Sequence, residues 1–235
     1  MVRKLLSLFA LGLVVGCSQP PATAPEASVG QDKPAKETSE APAPEIGATL
    51  QHDGYFYGGF NKPGTQNFVV KITGQADGEG SQTTALKASE DGSITFERSR
   101  DGALAPVGSD VVKLDDKGVT VMSVSIGKLK APAIELPANL SVGQTWKATS
   151  TIETGSGTIK NDGTYKVVGD APIKVAAGSF TARKVLFSGT IETSQGRGKL
   201  SGTYWFVKDV GAVKTEMVQT LEGQQPQTFV LELKK

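Results

Sequence analysis

From residue 51 onward the chain is cut into short runs of Val, Ile, Thr, Phe and Tyr by Gly, Asp and Asn, and this spacing constrains the fold more than any other feature. Such runs fit a pleated, half-buried surface, and their turn residues set the lengths. Strands are expected at 51–57, 67–74, 83–89, 93–98, 110–114, 119–126, 145–154, 157–168, 173–176, 180–192, 199–208, 213–221 and 227–233. Asp91-Gly92, Asp116-Lys117-Gly118, Asn161-Asp162-Gly163 and Asp209-Val210-Gly211 read as the tight turns between antiparallel partners, because Gly, Asn and Asp accept the backbone angles such turns need. Segment 81–90 (SQTTALKASE) is open to a short helix as well as a strand.

Side-chain alternation gives the faces. Phe229, Leu231 and Leu233 fall on one side of their run, with Thr228, Val230 and Glu232 on the other, and Val185, Phe187 and Ile191 share a face of theirs. In Gly202–Lys208 (GTYWFVK), Tyr204 and Phe206 point one way and Thr203, Trp205 and Val207 the other. With 28 glycines and few aromatic residues, the expectation is an all-β, antiparallel and strongly curved sheet, an open half-barrel or sandwich-like, that bends at glycines. Pro132 to Pro137 either divides two subdomains or is a loop within one sheet.

The first 49 residues have a different character. Arg3 and Lys4 precede an eleven-residue apolar run, LLSLFALGLVV, and Gly16 then stands before Cys17, the only cysteine. The run is about half of the roughly 20 residues a spanning helix needs, and its layout is that of a secretory signal. Residues 18–47 hold six of the 12 prolines and no aromatic residue. A segment with so little apolar surface is expected to be a disordered tether, reaching about 90 Å if polyproline-like and about 30 Å as a coil. The expected organisation is a signal peptide at 1–16, a modified cysteine with its tether at 17–47, and a β domain at 48–235.

The segment Val14-Val15-Gly16-Cys17 resembles the lipobox of bacterial lipoproteins. The resemblance implies a diacylglycerol thioether on Cys17, cleavage just before it and acylation of the new amino group. It implies membrane attachment through Cys17, and Ser18 in the next position favours the outer membrane, facing the periplasm. Two or three acyl chains give stable anchoring where one gives marginal binding. Cleavage would remove Arg3 and Lys4 and turn the formal charge from +1 to −1, which leaves no electrostatic footprint for nucleic acid. With Cys17 lipidated, no disulfide can form.

A second resemblance lies in the C-terminal half. LSVGQTW (140–146), YKVVG (165–169), VAAGSFTARKV (175–185) and TYWFVKDVGAVKTE (203–216) occur in the order found in secreted, often lipidated bacterial proteins labelled TapB-like. The resemblance implies an antiparallel envelope domain and brings no activity or site residues. The residues themselves read as structural, with Gly143 and Gly178 at turns and the aromatic side chains after them entering a core.

Catalytic chemistry has little support. His52 is the only histidine, it reads as an exposed turn residue beside Asp53, and no Gly-x-Ser-x-Gly elbow surrounds any serine. One histidine without a free cysteine builds no zinc site, and Asp77-Gly78-Glu79-Gly80 and Asp115-Asp116 lack the spacing of a calcium loop. A carboxylate pair distant in sequence stays open. The cluster Tyr55, Phe56, Tyr57 and Phe60 reads either as an aromatic surface for a glycan or apolar ligand, or as an edge strand whose Phe56 enters the core.

The expectation is a non-enzymatic, cofactor-free envelope lipoprotein whose β domain binds an apolar ligand or an envelope partner in the concavity of its sheet. Trp146, Phe187, Tyr204, Trp205 and Phe206 are the candidate binding residues. The alternatives are an assembly subunit of an envelope complex, using a sheet edge or the tether, and a hydrolase acting on envelope polymers.

Overall fold

The computed structural model describes residues 50–235; the signal segment, Cys17 and the tether lie outside them. The described chain is one thirteen-stranded antiparallel sheet. Its strands are β1 (Gly64–Ile72), β2 (Gly78–Glu90), β3 (Ser93–Gly102), β4 (Asp110–Asp115), β5 (Gly118–Val124), β6 (Lys128–Leu129) and β7 (Ala133–Pro137). They continue with β8 (Thr145–Thr154), β9 (Gly157–Val175), β10 (Gly178–Thr193), β11 (Gly196–Val207), β12 (Gly211–Leu221) and β13 (Gln227–Lys234). Their spatial order is β6-β8-β9-β10-β11-β12-β13-β1-β2-β3-β4-β5-β7. β1 pairs with the last strand, β13, so the N- and C-terminal halves are joined at the middle of the sheet. The sheet is curled but not closed: its two ends approach where β5 runs through the Val124–Gly127 bridge into β6.

Period-two alternation does most of the folding work. β12 is buried at every other residue from Gly211 to Leu221, and Val185, Phe187 and Ile191 of β10 are all buried. One apolar cluster takes side chains from both halves of the sheet, including Ile94, Phe96, Val112, Val167, Leu200, Val213 and Phe229. The bend has local causes as well. Bulges fall at Lys184/Val185 and at Trp205/Phe206, in strands that pair Lys184 with Trp205, and bulges sharpen strand twist and curvature.

Several local expectations are corrected. Residues 51–57 do not form a strand: Asp53–Tyr57 is a short helix, α1. His52 caps it, and is half-buried instead of exposed. Its Nδ1 accepts from the Tyr55 N–H at 3.2 Å and its Nε2 lies 2.8 Å from the Asp115 carbonyl oxygen, which places the ring hydrogen on Nε2. Asp53 accepts from the Leu140 N–H at 2.9 Å, and the Asp209 N–H donates to the Phe56 carbonyl at 3.0 Å. The helix therefore ties together three separate turns, and it is Tyr55 and Phe60, not Phe56, that are buried. Phe60 packs on Phe96 with ring centroids 5.0 Å apart.

Asn161-Asp162-Gly163 is not a turn but the interior of β9. The Phe187 ring lies over Gly163 so closely that a Cβ there would sit 2.2 Å from Phe187 Cε2. The glycine marks an aromatic neighbour, not a reversal of the chain. Asp91-Gly92 does turn, with Gly92 at φ 73°, and Asp209 takes φ 67° before Gly211. Segment 81–90 belongs to strand β2. The Pro132 to Pro137 segment contains β7, which pairs with β5.

Candidate functional site

Four of the five sequence-predicted residues meet inside the curl. β8, β9, β10 and β11 lie side by side, and their register sets Trp146 opposite Tyr165 and Tyr165 opposite Phe187. Trp146 stacks on Tyr165 with centroids 4.8 Å apart and planes 9° from parallel. Tyr165 also meets Phe187 at 4.7 Å and Tyr204 at 5.6 Å, and Tyr204 stacks on Phe206 at 5.9 Å. Trp205 is not part of this group. It lies on the other face of β11, as alternation requires, half-buried between the Lys184 and Lys214 ammonium groups at 5.9 and 5.6 Å from its ring centre.

The aromatic wall borders a cavity of about 110 Å³. Trp146, Tyr165, Tyr204 and Phe206 line one side, and Arg98, Arg100, Gln82 and Glu135 line another. The second wall comes from β2, β3 and β7. Arg98 is buried at 7% exposure and Asp110 at 4%. Arg98 donates from Nε to Asp110 at 2.7 Å, and from Nη1 and Nη2 to the two Glu135 oxygens at 2.8 and 2.7 Å. Arg100 donates to Asp110 at 2.9 Å, to Gln82 at 3.0 Å and to the Gly108 carbonyl at 3.0 Å. Two guanidiniums thus face two carboxylates, and the cluster has no net charge. Buried charges need this kind of pairing with good hydrogen bonds.

The electrostatics follow from burial and pairing. Burial pushes the Asp110 carboxyl up, but Arg98 and Arg100 together outweigh it and hold the group below the usual carboxylate range. Burial also opposes the charge on Arg98, and Asp110 and Glu135 more than compensate. For Arg100 burial prevails and its pKa is lowered. Across the cavity, burial pushes the Tyr204 hydroxyl up to about 12 and raises Tyr165 strongly. The two hydroxyls are hydrogen-bonded to each other. Trp146 is 8% exposed, and its indole Nε1 has no partner. The Glu135 carboxylate is occupied by Arg98, so the ionic wall offers a ligand a charge-paired surface opposite the aromatic one.

The sequence reading did not single out Arg98, Arg100, Asp110, Glu135 or Tyr165 as site residues. The signal was alternation continued into charged positions. Arg98 falls in phase with buried Ile94 and Phe96, and Asp110 with buried Val112 and Leu114.

A larger depression, about 990 Å³, lies at the far ends of β8 to β12. Its lining takes residues of both phases, the charged Lys160, Glu192, Arg197 and Lys199 together with buried Asn161, Ile191 and Leu221. Lys160, Glu192 and Arg197 form a row of alternating charge there, paired at 3.1 and 3.4 Å. Exposed pairs of this kind contribute little, and the row reads as a solvated face.

No family model and no curated protein matches the chain. Solved structures do. The chain is similar to a protein from Bacteroides fragilis inferred to be exported and having the YmcC-like fold, at 13% identity and a TM-score of 0.52, over 74% of this chain and 97% of that one. It is also similar to an inferred lipoprotein from Parabacteroides distasonis, at 12% identity and a TM-score of 0.52, over 76% of this chain and 98% of that one. At such identities the likeness is one of fold: the described chain has the architecture of the YmcC-like β domains.

Proposed function

We propose that the protein is a cell-envelope lipoprotein, attached to the outer membrane through lipidated Cys17, whose curved β domain binds an apolar ligand in its interior without catalysing a reaction. The observation that carries the binding role is the cavity of about 110 Å³ between a stacked aromatic wall and a neutralised polar wall. A concave space with aromatic walls and a few convergent polar groups is a common form of small-molecule site. The membrane attachment is supported by the LLSLFALGLVVGC segment, and by the export and lipoprotein descriptions of the two structural relatives. The TapB-like pattern of the C-terminal half points the same way.

Native mass spectrometry of the whole protein, released from its own envelope, tests the binding role. A reproducible extra mass, lost on organic extraction, is the expected result; a clean unliganded mass would oppose it. Cys17→Ser should move the protein from the membrane fraction to the soluble one, and retention in the membrane would remove the lipid anchor.

A second reading is assembly with an envelope partner. Val142, Val168 and Leu186 are large apolar side chains left exposed. They fall near one another on the outer face, since Leu186 pairs with Lys166 and the Gly143 N–H binds the Val167 carbonyl. Crosslinking from these positions in the envelope, together with an unliganded mass, would favour it.

A further inference from the structure

The strands that line the cavity carry a second surface on their outer side, since successive side chains of a strand alternate between faces. We infer that the outer face of β8 to β11 docks on an anionic bilayer, the one in which Cys17 is anchored. The inference rests on the anchor reading above and adds the surface through which the domain meets that membrane.

Three observations carry it. The first is a clustering of apolar side chains. Among the described residues, Val142, Val168 and Leu186 are three of the five large apolar side chains left exposed, at 63%, 37% and 40%. One such residue alone is ordinary on a soluble domain, but these three adjoin. The Gly143 N–H donates to the Val167 carbonyl at 2.9 Å, Leu186 pairs with Lys166, and Val168 is the extra residue of the bulge opposite Lys184 and Val185. Half-buried Trp205 pairs with Lys184 on the same face, and an indole favours the boundary between water and lipid.

The second is charge. Lys147 and Lys166 are exposed and Lys184 is half-buried, and none of the three has a carboxylate within ion-pair distance among the described residues. The neighbouring acids are already held, Asp170 by Arg183 and Glu216 by Lys214. The face is therefore locally positive although the chain as a whole is near neutral. Anionic headgroups complement it, and the long lysine stems let the ammonium groups reach them while the apolar groups sit deeper.

The third is where the anchored segment joins the domain. Residues 18–49 connect Cys17 to the described chain, which enters the domain through α1. Asp53 of α1 accepts from the Leu140 N–H at 2.9 Å, two residues before Val142. The attachment point and the apolar loop are thus in one place. A coil of that length would span about 30 Å, so the face meets the bilayer at the high effective concentration of a tethered partner. Three lysines and a few apolar groups, weak on their own, suffice under that condition.

The experiment places the whole lipidated protein in vesicles of phosphatidylethanolamine and phosphatidylglycerol in equal parts, with bromine on the acyl chains, and reads tryptophan fluorescence. The emission should be quenched, and the quenched part should vanish in Trp205→Phe, because the other tryptophan, Trp146, is buried. Quenching should weaken in phosphatidylcholine vesicles and in 1 M salt, where the Debye length is about 3 Å. Lys147→Glu/Lys166→Glu changes two exposed positions, leaves Lys184 beside the reporter, and should lower the ratio of docked to free domain by about tenfold or more. No quenching in the mixed vesicles, equal quenching in phosphatidylcholine, or quenching unmoved by the double variant would overturn the inference. Crosslinks from Val142 to an envelope protein, without quenching, would overturn it in favour of assembly. The intact mass of the same sample reports the acyl chains on Cys17 separately. A missing acyl mass would remove the anchor, and the Trp205 signal on added phosphatidylglycerol vesicles would still decide the docking face.

Discussion

The two walls of the cavity are built from opposite materials. The β8–β11 wall is made of neutral rings, Trp146, Tyr165, Tyr204 and Phe206, with Phe187 packed against Tyr165 behind them. The wall from β2, β3 and β7 is ionic, with Arg98 clamped by Asp110 and Glu135 and Arg100 leaning on the same aspartate. The first tolerates loss of a polar atom at modest cost, because most of its stabilisation is area removed from water. The second tolerates loss of a single partner poorly, because the charge left behind is buried. One interior thus combines an adaptable surface with a rigid one, aromatic faces on one side and paired charges on the other.

The comparison can be broken most directly at Asp110. Asp110→Ala leaves two guanidiniums buried with a single carboxylate, and should lower unfolding free energy by about 3–5 kcal/mol in urea titrations. A loss below about 1 kcal/mol would mean the ionic wall is not the rigid one. Phe187→Ala tests the neutral wall with a large change of its own, about 3–5 kcal/mol by cavity formation, but its effect should be independent of pH.

The acid limb separates the two walls further. The folded pKa of Asp110 lies below its unfolded value, so its contribution is present above about pH 4 and is lost as pH falls through the folded pKa. Stability of the native protein should therefore drop on acidification, and the drop should be smaller in Asp110→Ala. Equal acid sensitivity in both proteins would assign the effect elsewhere, for example to Glu232, which burial raises but Lys214 holds below the usual range.

A smaller effect belongs to the aromatic wall. Tyr165→Phe removes the hydroxyl bonded to Tyr204 and should cost about 1 kcal/mol. At high pH the sign is reversed relative to the acid limb. All four tyrosines are raised, Tyr204 to about 12, so their contribution is full below about pH 10 and is lost as pH rises toward the folded values. Absorbance at the tyrosinate band should rise late, and abruptly on unfolding; a smooth rise centred near pH 10 would contradict the burial of Tyr165 and Tyr204. The smallest effect is expected at Trp205. Trp205→Phe keeps a ring between Lys184 and Lys214 and should change stability by less than about 1 kcal/mol.

The contrast between the walls also explains what could be read from the chain. The aromatic wall was legible because alternation in GTYWFVK and around Phe187 puts rings on one face. The same alternation in 93–100 continues from Ile94 and Phe96 into Arg98 and Arg100, and a charged residue at an inward phase reads at first as the end of a strand. Its partners were out of reach, since Glu135 lies 37 positions away in a segment first read as a possible boundary. Turn chemistry misled where packing overrode it: Asn161-Asp162-Gly163 has turn composition, yet Phe187 needs the space above Gly163. The helix Asp53–Tyr57 has aromatic residues of strand type, and is fixed by the His52 cap and its bonds to distant turns. No short-range pattern reports those contacts.

The most direct measurement is a crystal structure of the protein purified from its own envelope without exchange into detergent. Density for a compact molecule between Tyr165, Tyr204 and the Arg98–Glu135 pair is the result we expect. Ordered solvent alone in that cavity, with bound ligand or partner on the outer face of β8 to β12, would contradict interior binding.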